Sequence, residues 1–206
     1  MKLLYPLLFA LTLSACGGSS DSSSPAPIDP DPVPPVEDKE LQADVCYLMS
    51  TTLGDMTLAI DTTNTPITGQ NFKRYVDDKF YDGTIFHRVI HNFVSQGGGF
   101  TTGLVAKPGY DPIELETNLG LTNAHYTLAM ARTSEANSAT SQFYINALTN
   151  TDLDYQNSTN PGYAVFGQVI EGLDVADQIN IVSTSNDVPI TEIVINSVTE
   201  ANCPAM

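Results

Sequence analysis

The sequence predicts a mainly β domain, a closed antiparallel barrel of eight strands capped by two helices. Three observations predict it. Eight short alternating or β-branched runs recur through residues 41–206. Clusters of Gly, Asn and Asp separate them, as turns require. Only two stretches carry helical spacing, and a sheet with so few helices to cover its edges is best satisfied by closing on itself.

The chain opens on delivery and spacing. Lys2 gives a positive start, Leu3 to Leu13 form an apolar stretch too short to span a bilayer, and small residues Ser14 and Ala15 precede Cys16. That is a secretory leader over residues 1–15. Leu13-Ser14-Ala15-Cys16 resembles the lipobox of bacterial lipoproteins, which implies cleavage before Cys16 and its acylation. Acyl chains at ~0.8 kcal/mol per buried CH₂ would hold the chain on a lipid bilayer. Gly17 stands where Asp would signal inner-membrane retention, so the expected location is the periplasmic face of the outer membrane of a bacterial cell envelope. From Cys16 to residue 40 the chain is rich in Gly, Ser, Pro and acids. Such a segment buries too little apolar surface to fold, and it reads as a tether.

The domain follows. Strand runs fall at 43–50, 55–61, 84–90, 93–96, 126–131, 141–147, 163–169 and 190–199. The first helix opens at Thr65-Pro66, an N-cap followed by Pro at the first helical position. Phe72, Tyr75, Val76 and Phe80 give it an apolar face. The second runs from about Glu171 to Ile179, with Leu173, Val175, Ala176 and Ile179 on one side.

Composition sets the limits. Of 206 residues, 42% are hydrophobic and 16% charged, enough to bury one core. The 24 acidic residues against 8 basic ones give a net charge of −16. That surface repels phosphate backbones, so a nucleic-acid partner is not expected. Three cysteines are too few for a multi-Cys zinc cluster.

Residues 80–100 read FYDGTIFHRVIHNFVSQGGGF, residues 128–146 read LAMARTSEANSATSQFYIN, and residues 162–167 read GYAVFG. With the helix text PITGQNFKRYVDDKF, these blocks resemble the cyclophilins, the peptidyl-prolyl cis/trans isomerases, and their bacterial members in particular. The resemblance covers nearly all of 45–200 in order and spacing. It implies the cyclophilin barrel, and an enzyme that accelerates rotation about X-Pro bonds.

That rotation crosses ~18–20 kcal/mol because amide resonance must break. It makes no bond to the substrate, so no nucleophile, metal or cofactor is expected. The catalyst has to grip the proline ring and stabilise a twisted amide with a pyramidal nitrogen. A cation beside the nitrogen's new lone pair does so selectively. By resemblance, Arg88 is that cation, and its planar fork can also hold a carbonyl. Phe93 matches the pocket floor, Gln96 the amide that supports the guanidinium, and Ala131 and Arg132 the segment that pairs with the residue before proline. Gln142 matches a further groove residue, and Leu153 and Tyr163 the remaining wall. His87 is assigned to packing.

Five positions depart from the family pattern. Val94 replaces Met and makes the pocket shallower. Tyr144 replaces Phe and brings a hydroxyl that needs a partner if buried. Asp152 puts a charge where an aromatic is usual, which predicts weak cyclosporin binding. His91-Asn92 replaces Pro-Gly and alters the turn before Phe93.

Other constellations are weaker. His87 and His91 form H-x-x-x-H, but Arg88 stands where a zinc protease has its Glu, and Val89-Ile90 favour a strand. Gly97-Gly98-Gly99 lacks the context of a phosphate loop and reads as a tight barrel turn. Neighbouring first and last strands in cyclophilin-type barrels would bring Cys46 and Cys203 together, and an exported domain with two remaining cysteines is expected to join them.

The expected partners are extended, proline-containing segments of exported proteins, bound by a monomer during folding. The rival expectation is a proline-peptide binding or chaperone module with little turnover, favoured by Asp152, Val94 and Tyr144 and opposed by Arg88.

Overall fold

The computed structural model describes residues 39–204. The leader at 1–15, Cys16 and nearly all of the tether lie outside the described residues.

In chain order the elements are β1 (Val45–Thr51), β2 (Gly54–Ile60), α1 (Pro66–Asp77), β3 (Thr84–Ile90), β4 (Val94–Thr101) and β5 (Val105–Ala106). Then come β6 (Thr127–Met130), β7 (Phe143–Asn146), a 3₁₀ turn (Thr151–Leu153), β8 (Val165–Glu171), α2 (Leu173–Asn180), β9 (Thr184–Ser185), β10 (Val188–Pro189) and β11 (Ile193–Ala201). Eight strands form the barrel in the order β3-β11-β1-β2-β8-β6-β7-β4, and β4 pairs back to β3 to close it. All of these pairings are antiparallel. β5 extends the β4 edge, and β9–β10 form a separate hairpin.

The barrel interior is aromatic. Tyr47, Phe72, Tyr81, Phe86, Phe143 and Phe166 are fully buried, and the Phe72 ring lies 5.0 Å from Tyr81 and 5.3 Å from Phe166. Each ring removes a large apolar area from water. Helix α1 buries Phe72, Tyr75 and Val76, and α2 buries Val175, Ala176 and Ile179.

The start of α1 differs from the sequence expectation. Thr65 precedes Pro66, but its hydroxyl turns back to the Asp61 carbonyl at 2.6 Å. The Glu116 carboxylate takes the capping place, accepting the Ile67 and Thr68 N–H groups at 3.1 and 2.6 Å. An anion there suits the positive end of the helix.

The three consecutive glycines also differ. They lie inside β4, not in a turn. A Cβ on Gly98 would stand 2.9 Å from both Phe143 and Tyr81, at a backbone φ of +82°, so the aromatic core needs glycine there.

Cys46 in β1 and Cys203 beyond β11 form a disulfide, with their Cα atoms 5.1 Å apart. The β1–β11 pairing sets Cys46 opposite Ala201, two residues before Cys203.

Candidate active site

A bulge decides where Arg88 points. On β3, Phe86 pairs with Gly97 of β4, and Arg88 pairs with Gln96, so two steps on β3 match one on β4. Phe86 faces the core. Strict alternation would send Arg88 inward beside it. The extra residue, His87, turns Arg88 to the outer face. Val89, one step on, is back in the core.

The register then lines up a row on that outer face. Arg88 pairs with Gln96, Gln96 with Tyr144 of β7, and Tyr144 with Ala129 of β6. Neighbouring strands are ~4.8 Å apart, so the row spans roughly 15 Å. Val94, Ala129, Tyr144 and Val165 form a second apolar cluster there, packed by Phe93, Ala131, Leu153 and Tyr163.

Over this floor opens a cleft of ≈ 220 Å³. Its lining is Arg88, Phe93, Val94, Gln96, Ala131, Arg132, Tyr144, Leu153 and Tyr163. Gln142 lies in the adjoining depression, with Thr133, Ser138 and Thr140. The structure therefore brings nine of the ten expected site residues into one cleft and sets the tenth beside it.

The guanidinium of Arg88 is held on two sides. Its Nη1 donates to Gln96 Oε1 at 3.4 Å, and its Nε lies 3.8 Å from the Asp187 carboxylate. Gln96 in turn donates from Nε2 to Gln142 Oε1 at 2.9 Å. Asp187 arrives on the turn between β9 and β10, where Asn186 and Asp187 both have positive φ. Its carbonyl accepts the Val89 N–H at 2.7 Å.

Arg132 is engaged differently. Its Nε donates to the Gly162 carbonyl and its Nη1 to the Thr133 carbonyl, each at 2.9 Å, and the guanidinium stacks 4.7 Å from the centre of the Tyr163 ring. This side chain builds the wall. Leu153 and Tyr163 are tied as well, by the Tyr163 N–H to the Leu153 carbonyl at 3.0 Å.

The Tyr144 hydroxyl finds its partner in buried Asn123, donating to Oδ1 at 2.8 Å. Burial, with Tyr163 and Asp154 nearby, pushes this phenol well above its ordinary pKa, so it remains a neutral donor. Asn123 donates from its backbone N and its Nδ2 to Asp154 Oδ1, at 2.6 and 2.8 Å. Asp152 is exposed at the rim beside Leu153. Behind Arg88, His87 packs 4.5 Å from the Phe100 ring. Burial and the Arg88 cation hold its pKa below the ordinary histidine value. Among the described residues no three His, Cys, Asp or Glu side chains gather to hold a metal.

A permanent cation, fixed beside an apolar pocket on the outer face of a closed barrel, is what X-Pro rotation needs. The chain's likeness to known proteins agrees. Residues 46–200 match the family model described as "Cyclophilin type peptidyl-prolyl cis-trans isomerase/CLD". This chain is a cyclophilin. It is 51% identical over 137 residues to a peptidyl-prolyl cis-trans isomerase of Acinetobacter baylyi, covering 66% of this chain and 72% of that one. Over 153 residues this cyclophilin is 43% identical to peptidyl-prolyl cis-trans isomerase B of Escherichia coli, covering 71% and 93%. Among solved structures it is similar to a cyclophilin type peptidyl-prolyl cis-trans isomerase of Cryptosporidium parvum, determined in the presence of the dipeptide Ala-Pro. The TM-score is 0.67 at 25% identity, over 77% of this chain and 99% of that one. The cyclophilin is thus a peptidyl-prolyl cis-trans isomerase with the family's eight-stranded barrel.

Sequence reasoning missed Asn123, Asp154 and Asp187. Their partners lie 21, 31 and 99 residues away, and a polar residue in a loop gives no local sign of such a contact.

Proposed function

We propose that this cyclophilin accelerates X-Pro rotation in exported proteins as they fold, with Arg88 as its catalytic residue. The observation that carries the reading is Arg88, aimed outward by the bulge and braced by Gln96 at the edge of an apolar cleft. A proline ring fits among Phe93, Val94, Tyr144, Leu153 and Tyr163. Arg88 then stands beside the prolyl amide, whose nitrogen lone pair is delocalised in either planar form and localises on nitrogen only as the bond twists. An interaction made in that state alone lowers the barrier. The backbone at Ala131 and Arg132, with Gln96 and Gln142, lines the path for the residues before proline.

Exchange of an Ala-Pro peptide, followed by NMR with wild type and Arg88→Ala, tests this. The expected result is acceleration by wild type and a loss of about 10²-fold in the variant, equivalent to ~2.7 kcal/mol of selective stabilisation. Peptide binding without acceleration by either protein would overturn it.

The exported setting rests on the leader, on Cys16 and on the tether. The protein acts as a monomer anchored through acylated Cys16 to the periplasmic face of the outer membrane. Expressed whole in a bacterium, it should carry the added mass of acyl chains and sediment with membranes, and Cys16→Ser should release it.

A further inference from the structure

The turn that brings Phe93 to the cleft lacks the residues that would fix its shape. The Phe93 N–H closes it on the Ile90 carbonyl at 3.1 Å, and Asn92, its third residue, has φ +57°. Turns of that form favour Pro second and Gly third. Here those places hold His91 and Asn92, both exposed. Asn tolerates positive φ without preferring it.

The turn is held from α2. Asn180, the last residue of that helix, is 4% exposed. Its Oδ1 accepts the Asn92 N–H at 2.8 Å. Its Nδ2 donates to the Ile90 carbonyl and to Ser95 Oγ, each at 3.1 Å. One amide thus grips the first and third residues of the turn and the strand that follows. A buried amide with its groups satisfied allows one arrangement, because any other leaves polar atoms unpaired.

We infer that Asn180 is a positioning residue for the proline pocket. It substitutes for the missing Pro-Gly preference and sets where the Phe93 ring lies. The inference rests on reading the cleft as the isomerase site.

The test uses the full chain in detergent, as wild type, Asn180→Ala, Asn180→Ala combined with His91→Pro and Asn92→Gly, and Ile179→Val. The last loosens the core on the same helix without touching the turn. Peptide exchange is read at 10 °C, after far-UV circular dichroism has shown each of the four to be folded. Asn180→Ala should lose roughly fivefold or more in kcat/KM, since small misplacements at a reacting centre are costly. The combined variant should recover to within about twofold, and Ile179→Val should keep its kcat/KM while its Tm falls. Unchanged kinetics in Asn180→Ala, an equal loss in Ile179→Val, or no recovery in the combined variant would each overturn the inference. Should wild type give no acceleration, the isomerase reading fails, and hydrogen exchange of the Phe93 amide decides the clamp. Faster exchange in Asn180→Ala, reversed in the combined variant, supports it, and unchanged exchange overturns it.

Discussion

Tyr144 and Asn123 meet beneath the cleft, hydroxyl to amide oxygen at 2.8 Å, and Asp154 near the rim fixes Asn123 from the other side. The ring of Tyr144 is therefore part of the pocket, while its hydroxyl belongs to the scaffold.

Tyr144→Phe separates these two parts. Asn123 Oδ1 keeps the Asn146 amide at 3.2 Å, so the loss is one buried hydrogen bond, about 1 kcal/mol. Thermal unfolding should show a Tm lower by about 2–4 °C. The kcat/KM for an Ala-Pro peptide should stay within about twofold, since the ring still lines the cleft.

Gly99→Ala strikes the support of Arg88 from behind. An added Cβ would lie 2.6 Å from Gln142 Cδ and 2.8 Å from its Nε2. Gln142 is a flexible side chain and will move, losing its bond from Gln96. Stability should change little, whereas kcat/KM should fall about 3- to 10-fold as the bracing of Arg88 loosens. Parallel thermal melts and peptide exchange measurements check both halves.

His87 predicts how stability depends on pH. Its folded pKa is lowered by burial and by Arg88, whereas the unfolded imidazole titrates near 6.5. Above about 6.5 both states are neutral and His87 adds no pH dependence. As pH falls below that value the unfolded state takes up the proton first, so stability drops until the lowered folded pKa is passed. Urea midpoints between pH 5 and 8 should therefore fall less steeply on the acid side in His87→Gln than in wild type.

The Cys46–Cys203 disulfide closes a separation of 157 residues. Constraining so long a loop in the unfolded chain is worth up to ~5 kcal/mol on the chain-entropy estimate, and typically 2–4. Cys46→Ser with Cys203→Ser should lower the urea midpoint by a corresponding amount. Reductant should shift wild type toward the variant and leave the variant unmoved.

The barrel was legible because its signals are local. Each of the eight runs, from 43–50 to 190–199, contains or overlaps an observed strand, within a few residues at most ends. The exception is 93–96, where β4 continues to Thr101 through three glycines. Glycine reads as a turn in sequence, but here it clears space for Phe143 and Gln142, which arrive from elsewhere in the chain. The short strands β5, β9 and β10 gave no periodic signal at two residues each. The cleft was legible from motif blocks and not from any pattern of spacing. Its supports were hidden for the reason Glu116 was hidden as the cap of α1. A carboxylate 48 residues downstream leaves no trace near the helix it serves.

The bulge at His87 gives β3 two phases, like a text whose reading frame shifts by one letter midway. Before it, the strand's inward positions serve the core; after it, the same parity of residue number serves the solvent side. Removing His87 would straighten the ladder yet leave each side chain on its present face, because Phe86 and Arg88 would become consecutive residues of one alternating strand. The damaging change is the opposite one: regular pairing with His87 retained would carry the guanidinium toward an interior of aromatic rings and turn Val89 out to water. The address of the catalytic cation is thus written in one surplus residue of backbone, not in the identity of its side chain.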